Sequence, residues 1–298
     1  MPNEPTMRDE IAEVVRYRYL LQMLVRRELK VRYKNSALGF LWSIVPPLLQ
    51  VFVYTFVISG VLGARVPHYS AYLLCGIIPW TFFSTALLDS SQSLIDNYGL
   101  IKKFYLPREA IPLACVISNL IHFLLGWVVY FIAFMLVARL KKDGGIPLLP
   151  SLIWFPVLTM MEVLLVTGLS LWVSALNVFY DDVKFVIQTL FGLLFFLMPI
   201  IYPSDVVRVM RVMRLHPWLF KLYMLNPVAA IIDAYRKIIL EPISPSHFNH
   251  IYAQDNSLVP SAPIDWFNLF ITFLLCLLAA YTGYRYFNSR KWQFVERP

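Results

Sequence analysis

Charge is what this chain has least of. Of its 298 residues only 15% are Asp, Glu, Lys or Arg, against about a quarter in an ordinary soluble domain. A surface that poor in charge cannot face water over most of its area, which excludes the common soluble enzyme folds. Glycine is scarce as well, and none of the 11 glycines is followed by Lys. The phosphate-cradling loop G-x-x-x-x-G-K-S/T is therefore missing. No cofactor is expected in this chain, and ATP-driven work would need a partner subunit. The three cysteines, Cys75, Cys115 and Cys276, lie far apart in apolar runs, without disulfide or metal-ligand spacing. His247 and His250 have the H-x-x-H spacing, but only Asp255 accompanies them. A structural zinc site needs four ligands, so a solvated loop is expected there and no metal.

What is present is apolar. Hydrophobic residues make up 59% of the chain, and the mean hydropathy is +0.63, which predicts an all-α integral membrane protein. An ionised side chain near the bilayer centre costs at least ~2.5 kcal/mol, so uncharged stretches mark spans. Six emerge, within 35–64, 66–88, 110–138, 144–180, 185–204 and 266–284. Glu162 interrupts the fourth and is the only carboxylate deep inside a span; His122 is the only other titratable group well within one. A proton relay would need several such groups along a path, so a buried helix contact is expected at Glu162.

The net charge of +8 points to anionic headgroups and topology rather than to nucleic acid. Sixteen cations fall before the first span, in the second and fourth loops and in the tail, against Arg65, Arg139, Lys141 and Lys142 in the short loops opposite. Both termini are expected in the cytoplasm. The first apolar run follows a long basic segment and continues past 20 residues, unlike a cleavable signal peptide. A single transmembrane domain, 1–298, is thus expected: a cytoplasmic interfacial helix within 1–38, spans one to five over 39–204, an outer segment over 205–264, span six over 265–286 and a tail over 287–298.

Three non-spanning segments carry their own patterns. Residues 8–34 interleave Ile11, Val14, Leu20, Leu21, Leu24 and Val25 with basic side chains, which suits a helix lying in the headgroup layer. The loop 89–109 is long enough for a short helix, with Leu94, Ile95, Leu100 and Ile101 available for a partner and Pro107 ending it. In the outer segment Asn226 is a good N-cap and Pro227 suits the first helical position. Val228, Ile231, Ile232, Tyr235 and Ile239 then recur at helical spacing, with Asp233, Arg236 and Lys237 between them. Arg208, Arg211 and Arg214 upstream recur every three residues, as on an amphipathic helix at the outer interface. The two outer helices could dip into the membrane as a lid or gate.

Eight Trp, 17 Tyr and 22 Phe supply interfacial belts and core, and also flat apolar faces suited to sugar rings. Phe191, Phe195 and Tyr202 fall on one side of the fifth expected span, and Trp42 and Tyr54 on the first.

Several runs carry a resemblance. Arg27-Glu28-Leu29-Lys30-Val31-Arg32-Tyr33-Lys34-Asn35-Ser36, with Leu38-Gly39-Phe40-Leu41-Trp42-Ser43 and Pro46-Pro47-Leu48, resembles the lead-in to the first span of polysaccharide exporter permeases of the type-2 ABC transporter family. Leu100-Ile101-Lys102-Lys103-Phe104-Tyr105-Leu106-Pro107-Arg108-Glu109, Ser174-Ala175-Leu176-Asn177-Val178-Phe179-Tyr180, Pro199-Ile200-Ile201-Tyr202-Pro203, and Leu225-Asn226-Pro227 with Asp233-Ala234-Tyr235-Arg236 agree in order and spacing. Asp181-Asp182 departs from the basic residue often found there in the family, and 244–263 is longer than expected.

The resemblance implies a permease without enzymatic activity of its own in the bacterial inner membrane. A homodimer of it would join two ABC-type nucleotide-binding subunits, which hold the ATP and Mg, and would move a lipid-linked polysaccharide of O-antigen, capsule or teichoic acid type outward. Trp42, Tyr54, Phe191, Phe195 and Tyr202 would line the sugar path, and Leu100, Ile101, Lys102, Lys103, Phe104 and Tyr105 would couple to the ATPase. Asn226, Pro227, Tyr235 and Arg236 would belong to the outer gate. A small-molecule or drug exporter of the same fold is an alternative. So is a membrane glycosyltransferase acting on lipid-linked sugars, though Asp205, Asp233, Glu241 and Asp255 lack the obvious pairing its chemistry would need.

Overall fold

The structure, a computed structural model, describes residues 17–37, 39–63, 68–103, 106–140, 150–240 and 263–295, and among them every regular element is helical. Backbone polar groups in hydrocarbon must find partners within their own segment, which a helix alone provides locally. Five helical runs are long and apolar enough to cross a membrane: Leu41–Val61, Tyr69–Asp96, Ala110–Ala133, Ser151–Phe179 and Trp266–Phe294.

The chain begins with α1 (Arg18–Arg32); the expected start of this helix near residue 8 lies outside the described residues. A 3-10 turn (Gly39–Ser43) leads into α2 (Val45–Thr55), whose first turn holds Pro46 and Pro47, where a missing N–H leaves no bond unmade. A π-helical turn (Phe56–Val61) finishes the run. The 28-residue α3 (Tyr69–Asp96) is about 42 Å long. It outruns the uncharged stretch at 66–88 because Ser90, Ser91 and Ser93 are buried and Ser91 and Ser93 turn their hydroxyls onto backbone carbonyls of their own helix. The short α4 (Tyr98–Lys103) precedes α5 (Ala110–Leu140), and a 3-10 turn (Pro150–Trp154) precedes α6 (Phe155–Phe179).

The fifth expected span, 185–204, is not one continuous helix. α7 (Val183–Leu197) is an apolar helix of 15 residues, about 22 Å against a hydrocarbon thickness of ~30 Å. Helix stops at Met198, which turns to extended backbone, and Pro199 and Pro203 follow, neither with an N–H to continue it. Three short helices come next, α8 (Ser204–Val209), α9 (Arg211–Leu215) and α10 (Pro217–Met224), then α11 (Pro227–Ile239). Finally α12 (Trp266–Arg290) runs into a 3-10 turn (Lys291–Val295).

Two apolar clusters mark the two ends of the bundle. At one end Leu24 and Val25 of α1, Leu94, Ile101 and Ala110, Ala175 of α6, and Phe287 and Phe294 pack together. The other holds α11 with Tyr69, Tyr72, Trp127, Leu158 and Ile200. The described chain therefore starts and finishes at the same end. α6 and α12 approach closely at Gly168 and Gly283, where a Cβ on either glycine would strike the backbone of the other helix.

Candidate functional site

Three of the five candidate path aromatics meet. The Tyr54 ring stacks on Phe195 at 5.7 Å between centroids. Trp80 of α3 stands edge-on to Phe191 at 5.9 Å and to Phe195 at 6.0 Å, and Phe83 lies 5.5 Å from Phe191. Trp80 and Phe83 escaped the sequence reading, because within a long apolar run nothing local says which rings will face a neighbour. Trp42 stays half-exposed on the 3-10 turn before α2. The Tyr202 hydroxyl donates to the carbonyls of Phe196 at 2.9 Å and Leu197 at 3.2 Å, two of the orphan acceptors at the end of α7.

The outer helix α11 is not the surface element its pattern suggests. The Asn226 side chain caps it, accepting from the N–H of Val228 at 3.0 Å and Ala229 at 3.5 Å, with Pro227 in its first turn. From Val228 to Arg236 every residue is buried. Its polar side chains can enter because each finds a partner. The Arg236 guanidinium donates to the Tyr72 hydroxyl at 2.8 Å and to the carbonyls of Pro199 and Ile200, and lies 3.7 Å over the Tyr72 ring. Gly76 makes room for it, since a Cβ there would stand 3.0 Å from Cζ. Asp233 accepts from Ser204 Oγ at 2.5 Å and pairs with Lys237 at 2.7 Å. One buried helix thus holds α3, the broken end of α7 and the start of α8.

Tyr235 ties α11 to α6. Its hydroxyl is 3.1 Å from Thr159 Oγ1 and within hydrogen-bonding reach of the buried Glu162. Rings of Trp127 (5.1 Å), Phe155 (5.5 Å) and Phe123 (6.4 Å) enclose it. Glu162 is therefore a helix-to-helix contact, and its Oε2 has no hydrogen-bond partner.

At the opposite end α1 is strapped to the bundle by the basic run read in the sequence. Arg27 donates to Asn97 Oδ1 at 2.5 Å. Arg32 pairs with Asp89 and donates to Asn119 Oδ1 at 3.0 Å, while Asn119 Nδ2 donates to Asp89 at 2.8 Å. The Tyr33 hydroxyl reaches the His122 ring at 3.2 Å. Arg27, Arg32, Asp89, Asn97 and Lys184 of α7 line a polar groove of about 600 Å³, where burial pushes the Glu28 carboxyl above the usual carboxylate range against the pull of Arg27.

The candidate coupling residues divide. Ile101 is buried in the apolar cluster and Leu100 packs partly against it, whereas Lys102 and Lys103 are exposed, Lys102 lying 4.4 Å over the Tyr98 ring. The outward face of this corner consists of Ile95, Asp96, Gly99, Lys102 and Lys103. Phe104 and Tyr105 lie outside the described residues, as do His247, His250 and the 244–262 part of the long outer segment.

A family model described as ABC-2 type transporter matches residues 19–240. The chain is 29% identical over 280 residues to an O-antigen export system permease protein, RfbA, of Klebsiella pneumoniae, covering 93% of this chain and 94% of that one. It is similar to the protein of the same name from Myxococcus xanthus, 29% identical with 78% and 84% covered. The polysialic acid transport protein KpsM of Escherichia coli is 22% identical, with 74% and 81% covered.

Proposed function

Since the chain belongs to the ABC-2 type transporter family, we propose that it is the permease subunit of an exporter that moves a lipid-linked polysaccharide outward across a bacterial inner membrane. The observation that carries this is the similarity to O-antigen export permeases along nearly the whole chain, in a protein with five helices fit to cross a membrane among its described residues and no G-x-x-x-x-G-K-S/T loop in its sequence. Two copies would pair through a two-fold axis, with two ATP-hydrolysing subunits, holding ATP and Mg, on the cytoplasmic side.

The geometry supports this division of labour. α7 and the stretch 198–203 together are long enough for a sixth crossing, about 22 Å of helix plus six residues at up to ~3.3 Å each. An even count of crossings, together with the cation count, supports cytoplasmic termini. The ring cluster of Tyr54, Trp80, Phe83, Phe191 and Phe195 sits where α2, α3 and α7 meet, and the remaining faces of α2 and α7 are exposed and apolar. A second copy across these faces would enclose an aromatic path, along which sugar rings slide without a fixed hydrogen-bond register. α3 reaches from the corner next to α4 to Arg236 of α11, and it would carry motion from the ATPase to the outer end.

A strain lacking the gene and complemented in trans tests the proposal. Loss of surface polysaccharide, accumulation of the polymer inside, and rescue only alongside a hydrolysis-competent ATPase are expected. Normal surface polysaccharide in the null strain would overturn it and would favour a small-molecule exporter of the same fold.

A further inference from the structure

A second cavity, of about 600 Å³, lies among α8, α10, α11 and the start of α12, at the end of the bundle away from α1. Its walls are mainly apolar, with Leu222, Ala230, Leu269 and Ile271 among them, and the largely exposed Trp218 and Phe267 belong to its lining. That is the size and character of a small-molecule site. Its polar groups narrow the choice of ligand. Asn268 Nδ2 is spent on the Met224 carbonyl at 3.0 Å, and Asp265 turns its carboxylate onto the N–H of Asn268 at 3.0 Å. Asp233 is engaged by Ser204 and Lys237.

The remaining charged groups of the lining are cations: Arg208, Lys221 and Lys237. Arg208 is held by Asp205 at 3.2 Å and Lys237 by Asp233 at 2.7 Å. The Lys237 pairing engages one of three ammonium hydrogens, and Arg208 sets a fixed positive charge beside it. Arg211 and Arg214 add positive charge on the neighbouring α9.

Hydrocarbon walls with fixed cations at their polar edge match one class of ligand at the end of a membrane helix, a lipid with an anionic headgroup. We infer that this cavity binds an anionic phospholipid, with its phosphate on Arg208, Lys221 and Lys237 and an acyl chain between α10 and α12. The lipid would brace α11 from outside the bundle, on the side opposite its Tyr235 contact to α6. The inference does not depend on what the permease exports.

The test is native mass spectrometry of the full chain purified in detergent, with dioleoylphosphatidylglycerol, dioleoylphosphatidylcholine and soluble glycerol 3-phosphate as probes. One phosphatidylglycerol per chain should be retained in about tenfold preference to phosphatidylcholine, and glycerol 3-phosphate should not bind. Two variants separate charge from cavity. Arg208→Gln with Lys221→Gln should cost about tenfold in phosphatidylglycerol affinity and erase the preference, whereas Ala230→Phe, which fills the cavity, should weaken both lipids. The first pair is peripheral enough to keep the test alive if Ala230→Phe does not fold. Equal retention of both lipids, unaffected by the charge variant, would mean annular lipid and overturn the site. Tight binding of glycerol 3-phosphate would overturn the lipid assignment. Export in a complemented strain reads the permease function separately from either result.

Discussion

At the residue scale, two glycines and one arginine show how little room the bundle leaves. A Cβ on Gly283 would meet the backbone carbonyl of Gly168, and one on Gly168 would meet the backbone at Ala279. Backbone cannot rotate aside as a side chain can, so α6 and α12 would have to separate. Alanine is the better helix former by about 1 kcal/mol, yet overpacking of this kind costs typically ~1–3 kcal/mol, and here the clash should win. Gly283→Ala is expected to lower both membrane abundance and the melting temperature in detergent. Gly126→Ala on α5 meets only Ile78 at 3.5 Å and should be neutral or slightly stabilising; matched losses in both variants would refute the close approach. Arg236 makes the complementary case. Arg236→Lys keeps the charge but cannot reach Tyr72 and two carbonyls together, and each orphaned group costs about 1–3 kcal/mol. Gly76→Ala displaces the same guanidinium by filling its space. The two changes should be clearly non-additive in a double-mutant cycle read by thermal unfolding, and simple additivity would show that the guanidinium does not sit against Gly76.

At the element scale, the corner formed by α4 has an inner and an outer face with different expected phenotypes. Ile101 packs with Leu24, Leu94 and Phe294, so Ile101→Asp buries an unpaired charge and should deplete the permease from the membrane. Lys102 and Lys103 point outward; Lys102→Glu with Lys103→Glu should leave abundance unchanged while cutting co-purification of the ATPase and surface polysaccharide. Normal export with the ATPase bound would remove these lysines from the coupling surface. The N-cap, Pro227 and the periodic apolar residues made α11 legible as a helix, but not its depth. Local pattern gave Asp233 and Arg236 a polar face, whereas their partners Ser204, Tyr72, Pro199 and Ile200 come from elements 29 to 164 residues away. The break in α7 was hidden for another reason: counting uncharged residues treats Pro199 and Pro203 as apolar and ignores that they lack an N–H. The same long-range dependence left Trp80 and Phe83 unread beside Phe191, and Asn119 unread beside Arg32.

At the scale of the whole molecule, the open question is which way the bundle faces, and the parity of the chain answers it if α7 crosses. Ala110 and Phe287 share one apolar cluster, and Tyr69 at the start of α3 donates its hydroxyl to the Ile201 carbonyl at 2.9 Å. Lys184 at the start of α7 binds Asn177 at the end of α6 through its backbone N–H, at 3.1 Å. α7 and the stretch after it therefore run from the α1 end of the bundle to the α11 end. If α7 crosses, the traverses number six, an even number, so α1 and the end of α12 would share a side and the α8–α11 group would take the other. On the cation excess, α1 is expected on the cytoplasmic side. The three native cysteines are buried and should stay silent to thiol reagents, so single introduced cysteines report cleanly. His216 and Gly99 are exposed at opposite ends. In cells whose periplasm is accessible, a membrane-impermeant maleimide should label His216→Cys at once, and Gly99→Cys only after the inner membrane is opened. Labelling of both only after opening would mean that α7 does not cross and that an odd number of spans places α4 and α9 together in the cytoplasm. The reverse order would keep the even count but invert the protein, turning the groove at Arg27 and Arg32 outward and leaving the α4 corner with no ATPase to meet.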